Sequence, residues 1–214
     1  MKKIILFSLL ITVTLDGYSK KKIVLFNGKN MNNYTIYSRD PNFNQKQLFS
    51  IKEGIVETPG NPLGYIRTNK QYSDYTLHVE WRWPEKPGNS GVLIHVNGPD
   101  LVWPSHYQGQ LKAGDAGDFV LHGVGETVTI RDTVFTSSAK LKPLIRKDKP
   151  SSEKEVGQWN SMDIVANGNT VLIKVNGILQ NTATKCSLTK GAIGLQAEGA
   201  KIQFRNIWLR ELKK

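Results

Sequence analysis

Apolar and polar residues alternate with a period of two over most of this chain, in runs short enough to be single β-strands. The stretch "DYTLHVEWRW" puts Tyr75, Leu77, Val79, Trp81 and Trp83 on one side of an extended strand, and Thr76, His78, Glu80 and Arg82 on the other. In the run from His106 to Lys112, Tyr107 and Leu111 oppose His106, Gln108, Gln110 and Lys112. Near the C-terminus, Ile193, Leu195 and Ala197 oppose Gln196 and Glu198. "LFSIKEGIVET" predicts two strands about Glu53-Gly54, and "DIVANGNTVLIKVNG" predicts a hairpin turning at Asn167-Gly168. "GVLIHV", "GETVTIRDTVFT" and "GAIGLQAEGAKIQFRNIWL" add further strands. Many short strands with Gly, Asn and Pro turns, and no sustained helical period, predict an all-β fold: an antiparallel sandwich or barrel with little helix. The segment from Ser137 to Val156 is rich in Lys, Ser and Pro and breaks the pattern, which predicts a long surface loop between strands of one core.

The first residues have a different layout. A basic "MKK", the apolar run "IILFSLLITVTL" and the small or polar "DGYS" read as a secretory signal peptide over residues 1–19, with one domain over 20–214. The apolar run is too short to span a membrane, so no integral membrane segment is expected. No cysteine follows it to carry a lipid, which predicts a periplasmic or secreted protein. The single cysteine, Cys186, forbids an internal disulfide, and the fold must rest on burial.

The formal charge is +11, and a chain without residues 1–19 keeps 27 basic and 17 acidic residues, or +10. The Lys and Arg are scattered and no nucleic-acid motif is present, so nucleic acid is not an expected partner. Such a surplus suits an anionic polysaccharide or a membrane surface better. The pattern sets no oligomeric state.

Strand faces that are simply solvated favour Thr, Ser and Lys, whereas three strands here back their apolar side with Glu, Arg, Gln and His. Those groups suit hydrogen bonding to a hydroxyl-rich ligand. Six stretches in order carry a resemblance: "VLFNGKNMNNY", "YSDYTLHVEWRW", "GNSGVLIHV", "YQGQL" with "GDAGDF", "GQWNSMDIVANGNTVLIKVNG" and "GAIGLQAEGAKIQFRNIWL". Together they make residues 24–212 resemble the 3-keto-disaccharide hydrolase domain family. The resemblance implies a concanavalin A-like jelly-roll β-sandwich and cleavage of 3-keto-glycosides, by hydrolysis or by β-elimination. The chain departs from many relatives at Gln108-Gly109-Gln110, where an acidic residue is common, and at Ala197-Glu198-Gly199, where Asp and His are common.

A ketone at C3 acidifies the hydrogen on C2, so elimination needs a base at C2, a cation or donors at the C3 oxygen and a proton for the leaving oxygen. Glu80 and Glu198 are the candidate catalytic carboxylates, and His95 is a candidate acid/base group, with His106 a further one. Arg82 and Lys112 are the candidates for the enolate oxygen. Asn89, Gln108, Gln110, Asp118 and Gln196 are candidates for sugar hydroxyls, and Trp103 for stacking on a sugar ring. Trp81, Trp83, Trp159 and Trp208 fall on apolar faces, which predicts core positions for them. Asp115 and Asp118 in "GDAGDF" can offer oxygen ligands to calcium, although an Asx-stabilised turn is the default and no cofactor is expected. Two other readings stay open: a non-catalytic carbohydrate-binding module, and an ordinary glycoside hydrolase using Glu80 and Glu198 across one cleft.

Overall fold

A computed structural model describes residues 21–26 and 31–213; the expected signal peptide lies outside the described residues. The strands, in chain order, are β1 (Ile23–Val24), β2 (Tyr34–Ser38), β3 (Ser50–Lys52), β4 (Ile55–Thr58), β5 (Gly64–Thr68), β6 (Tyr75–Arg82), β7 (Gly91–Asn97), β8 (Ser105–Gln110) and β9 (Phe119–His122). They continue with β10 (Thr127–Ile130), β11 (Thr133–Thr136), β12 (Leu144–Ile145), β13 (Asn160–Asn167), β14 (Thr170–Val175), β15 (Ile178–Ala183), β16 (Ala192–Ala197) and β17 (Ile202–Glu211). A single 3-10 turn, Gln45–Gln47, is the only helical element among the described residues, and none there is long and apolar enough to cross a membrane.

One sheet runs β15-β14-β13-β6-β17-β4-β3, with β1 also on β17, and the other runs β12-β9-β8-β7-β16-β5-β2. All pairings are antiparallel. Sequence neighbours often lie in different sheets, so the strands wind between layers as in a jelly roll. The alternation read from the sequence decides what meets inside. Tyr75, Leu77, Val79 and Trp81 of β6 are fully buried, as are Tyr107, Phe119, Ile193 and Leu195 from the opposite sheet. Gly109 lets the layers approach: a Cβ there would come within 2.6 Å of Met162 Sδ on β13.

The Glu53-Gly54 hairpin forms as expected, with both residues at positive φ. The second hairpin turns one residue later than expected, at Gly168-Asn169, because Asn167 still pairs with Thr170. "GETVTIRDTVFT" is itself a hairpin, β10 to β11, turning at Arg131-Asp132 with both residues at positive φ. The segment from Ser137 to Val156 is irregular apart from β12, which pairs with β9 and seats this segment on the edge of the seven-stranded sheet.

Candidate functional site

The two sheets present very different outer faces. On β6, Thr76, His78, Glu80 and Arg82 are only half-buried, as on an ordinary solvated strand. On the seven-stranded sheet the outward side chains are buried as deeply as the core: His106 is 1% exposed, Gln108 3%, Gln110 6%, His122 4% and Gln196 2%. Polar groups in such a place should be hydrogen-bonded. Five of their kind are not: Asn89 Oδ1, His106 Nε2, Gln108 Oε1, His122 Nδ1 and Gln196 Nε2 are buried without a partner.

Strand register explains why these groups converge. His106 pairs with His122, Gln108 with Leu93, and Gln110 with Gly91. On the far side of β7, Gln196 pairs with Tyr65 and Gly194 with Arg67. Gly91 leaves room in the middle of the face, and the Gln108 side chain lies over it, 2.5 Å from where a Cβ would stand. Gln108 Nε2 then reaches Gln110 Oε1 at 3.1 Å and Gln196 Oε1 at 3.4 Å. Gln110 Oε1 also accepts from the backbone of Leu111 and Lys112. The three glutamines thus form one network with its outer atoms unspent.

The loop of residues 98–104 runs along one end of this face. Asp100 is gripped by Arg67 through two contacts of 2.7 Å and by the Tyr65 hydroxyl at 2.9 Å. Trp103 stacks on His122 (ring centroids 4.8 Å apart), and His122 stacks on His106 (4.3 Å). His106 Nδ1 donates to the Pro104 carbonyl at 2.7 Å, which leaves Nε2 as an acceptor. Burial pushes the His106 imidazole down to about 4 and that of His122 lower still, so both rings are neutral near pH 7.

Lys142, from the irregular segment, places Nζ 4.1 Å from the Trp103 ring centre. Burial lowers its pKa, and Glu198 across the face partly offsets this. Glu198 follows β16 and bridges to Asn89 through the backbone. Burial raises its carboxyl pKa, while Asn89 and Lys142 pull the other way. Two further acids on this side are committed. Asp100 is held by Arg67, and Asp118 accepts from Arg146 Nη1 at 2.9 Å and from the Lys147 amide at 2.8 Å.

The face therefore gathers Asn89, His106, Gln108, Gln110, Gln196, Glu198 and Trp103 from the sequence-derived candidates, while Asp118 is committed to Arg146 and Lys147. Four others are placed elsewhere. Glu80 and Arg82 lie on the outer face of the opposite sheet, where Glu80 accepts from Arg205 at 2.6 Å and Asn206 at 2.9 Å. Sheets pack about 10 Å apart, and the two glutamates point away from each other, so Glu80 and Glu198 cannot flank one bond. His95 is fully buried between the layers, its ring edge-on to Tyr75 and Tyr107. It has φ 52° at a bulge in β7, which turns the side chain inward where simple alternation would send it outward. Lys112 turns to Asp115 at 3.0 Å, within the turn that also holds Asp118. That turn's carboxylates already have cations: Lys147 Nζ sits 2.6 Å from the Gly114 carbonyl and within 4.0 Å of both aspartates. Among the described residues no group of three or more His, Cys, Asp or Glu is placed to hold a metal.

His122 and Lys142 are absent from the sequence-derived set. The first ends an apolar run, "FVLH", and the second lies in a lysine-rich segment without periodicity, so neither leaves a signal of its own.

Solved structures with this fold include two candidate glycosyl hydrolases from Parabacteroides distasonis. One has a TM-score of 0.64 at 21% identity, covering 90% of this chain and 100% of its own; the other has 0.64 at 19%, covering 90% and 94%. A carbohydrate-binding module from Bacillus subtilis (TM-score 0.57, 13% identity, 83% and 95% covered) and a Bacillus licheniformis β-glucanase (0.55, 16%, 93% and 100%) share the fold too. No curated protein matches the chain. The model of the 3-keto-alpha-glucoside-1,2-lyase-like domain matches residues 21–210, and the chain belongs to that family.

Proposed function

We propose that this protein is an exported carbohydrate-active enzyme that cleaves 3-keto-glycosides by β-elimination on the outer face of its seven-stranded sheet. The observation that carries this reading is the set of five buried polar atoms without partners on that face. Three of them are oxygen or imidazole acceptors, as a ligand rich in hydroxyl donors requires.

Among the described residues, Glu198 is the one carboxyl group on this face left without a cation in hydrogen-bond contact, and its raised pKa suits a base. It takes the proton from C2, and the electron pair forms an enolate across C2 and C3. Lys142 is the cation for the oxygen that gains charge. The C1–O bond then breaks, and the proton held by Glu198 is the one the leaving oxygen needs. The step needs no water and no second carboxylate, and its products are an alcohol and a 2-hydroxy-3-keto-glycal. This chemistry fits a face with one uncommitted acid better than direct hydrolysis across two carboxylates does. Gln108, Gln196, Asn89 and the neutral His106 hold hydroxyls, and Trp103 closes one end.

The test is release of the aglycone from a nitrophenyl 3-keto-glucoside, with the sugar product identified by mass. Wild-type cleavage to the glycal, and a loss of about 10²–10⁴-fold in Glu198→Gln, is the expected result. Because Glu198 is half-buried with a raised pKa, that variant should be at least as stable to heat as the wild type. Binding of the keto sugar with no release by the wild type would instead make the protein a carbohydrate-binding module.

A further inference from the structure

The outer face of the eight-stranded sheet is not spare surface. Trp159 and Trp208, expected in the core, stand half-buried on this outer face instead, and Trp159, just before β13, has two guanidinium groups over its ring: Arg205 at 4.0 Å and Arg82 at 4.6 Å from the centroid. A third cation, Lys154, places Nζ 3.0 Å from the Trp159 carbonyl oxygen. Two guanidiniums over one ring repel each other unless an anion sits beside them. Glu80 meets part of that need through Arg205 Nε. Arg82 spends only Nε, on the neutral Gln203 Oε1 at 2.7 Å, and among the described residues no carboxylate pairs with it. A guanidinium carries five N–H donors, so most of those on both arginines stay available.

We propose that Arg82, Arg205 and Lys154 around Trp159 form a binding site for the carboxylate or sulfate groups of an acidic polysaccharide, on the side of the sandwich opposite the cleavage face. Paired guanidiniums hold planar or tetrahedral oxyanions through parallel N–H contacts. Contact with the indole restrains both guanidiniums, so less side-chain freedom is lost when an anion arrives. The chain's net charge of +11 adds long-range attraction for a polymer of negative charge. A glycan is favoured over a lipid surface because polar Gln203, Ser161 and Asn206 stand beside the arginines and Glu80, and the half-buried Trp159 ring is covered by the two guanidiniums, which keeps it from entering a bilayer. Nucleic acid is disfavoured because the cations form a compact group instead of a stripe along a backbone. The site does not depend on the cleavage reading.

The experiment is affinity electrophoresis and calorimetry of the full chain with polygalacturonate, dextran sulfate and neutral dextran. The wild type should be retarded by either polyanion in low salt and not by neutral dextran, with retardation fading as salt rises. Arg82→Met with Arg205→Met should weaken polyanion binding about tenfold. Glu80→Gln should act in the opposite sense and strengthen it, a result that a merely misfolded variant would not give, and the melting temperature of each variant checks its fold. Equal retardation of the wild type and the double variant would overturn the site. So would tighter binding to anionic phospholipid vesicles or to single-stranded DNA than to either polysaccharide. Cleavage of a 3-keto-glycoside by the double variant at the wild-type rate would separate this site from the other face.

Discussion

His78 shows what a single side chain does on the solvated face of the eight-stranded sheet. Its Nδ1 lies 2.7 Å from Asp163 Oδ1 on β13, its Nε2 lies 3.6 Å from Glu80 Oε1, and its ring stacks on Trp208 of β17 at 5.1 Å. It therefore links three neighbouring strands. The hydrogen bond to Asp163 raises its pKa, and the nearby charges of Asp163 and Glu80 add to this against the cost of burial. A group whose folded pKa is raised contributes its full stabilisation below its unfolded pKa, and loses it as pH climbs through the folded value. Wild type and His78→Gln should thus differ in unfolding free energy by about 1–2 kcal/mol at pH 5.5, and by clearly less at pH 9. Urea denaturation at the two pH values checks this. Glu80 has the opposite slope: burial alone would lift its carboxyl, but Asn206 and Arg205 outweigh that and hold it below the usual range. Its contribution is therefore lost toward acid, and Glu80→Gln should leave cleavage intact.

At the scale of elements, the loop of residues 98–104 is what gives the site face one of its walls. Arg67 and Tyr65 on β5 hold Asp100, and the same loop delivers Trp103 to His122 and the Pro104 carbonyl to His106. Asp100→Asn keeps the shape of the side chain but removes its charge, leaving the Arg67 guanidinium half-buried and poorly matched. A loss of about 1 kcal/mol of stability is expected, since the pair is partly exposed. The site should suffer more: KM for the keto sugar should rise several-fold with kcat little changed, because the loop holds substrate without touching the reacting atoms. Steady-state kinetics beside a thermal melt separates the two effects. This element also marks the limit of what the sequence reveals. The alternation in β6, β8 and β16 was plain, and so was which residues shared a face. Alternation says nothing about which sheet a strand joins, so Glu80 and Glu198 looked alike although they face opposite ways. Nor does it foresee the bulge that turns His95 inward, or a loop between β7 and β8 that puts Trp103 on His122 at the end of β9.

On the scale of the molecule, the sandwich works because its two layers differ in what their outer faces bury, while sharing one interior. β8 carries this division in three residues. Gln108 and Gln110 look outward into the polar network, and Gly109 between them looks inward against β13. A methyl group at 109 would meet Met162 Sδ at 2.6 Å and Cε at 3.2 Å, with Ile164 Cδ1 at 3.5 Å. Met162 is itself fully buried, so it has no solvent to move into. Either the methionine shifts within the core or β8 is pushed away from β13, and the second course carries both glutamines with it. Gly109→Ala should therefore cost about 1–3 kcal/mol, as overpacked cores do. It should also weaken keto-sugar binding although no side chain of the site is changed. Met162→Ala alone leaves a cavity and is expected to cost about 2–5 kcal/mol. In the double variant the new methyl enters the space the methionine vacates, so the two losses should fall short of adding, with a coupling of about 1 kcal/mol or more. Urea denaturation of the four proteins measures that coupling, and binding calorimetry on the same set reads whether restoring the layer spacing restores the glutamine network. Simple additivity of both stability and binding would mean that the interior and the site face do not communicate through β8.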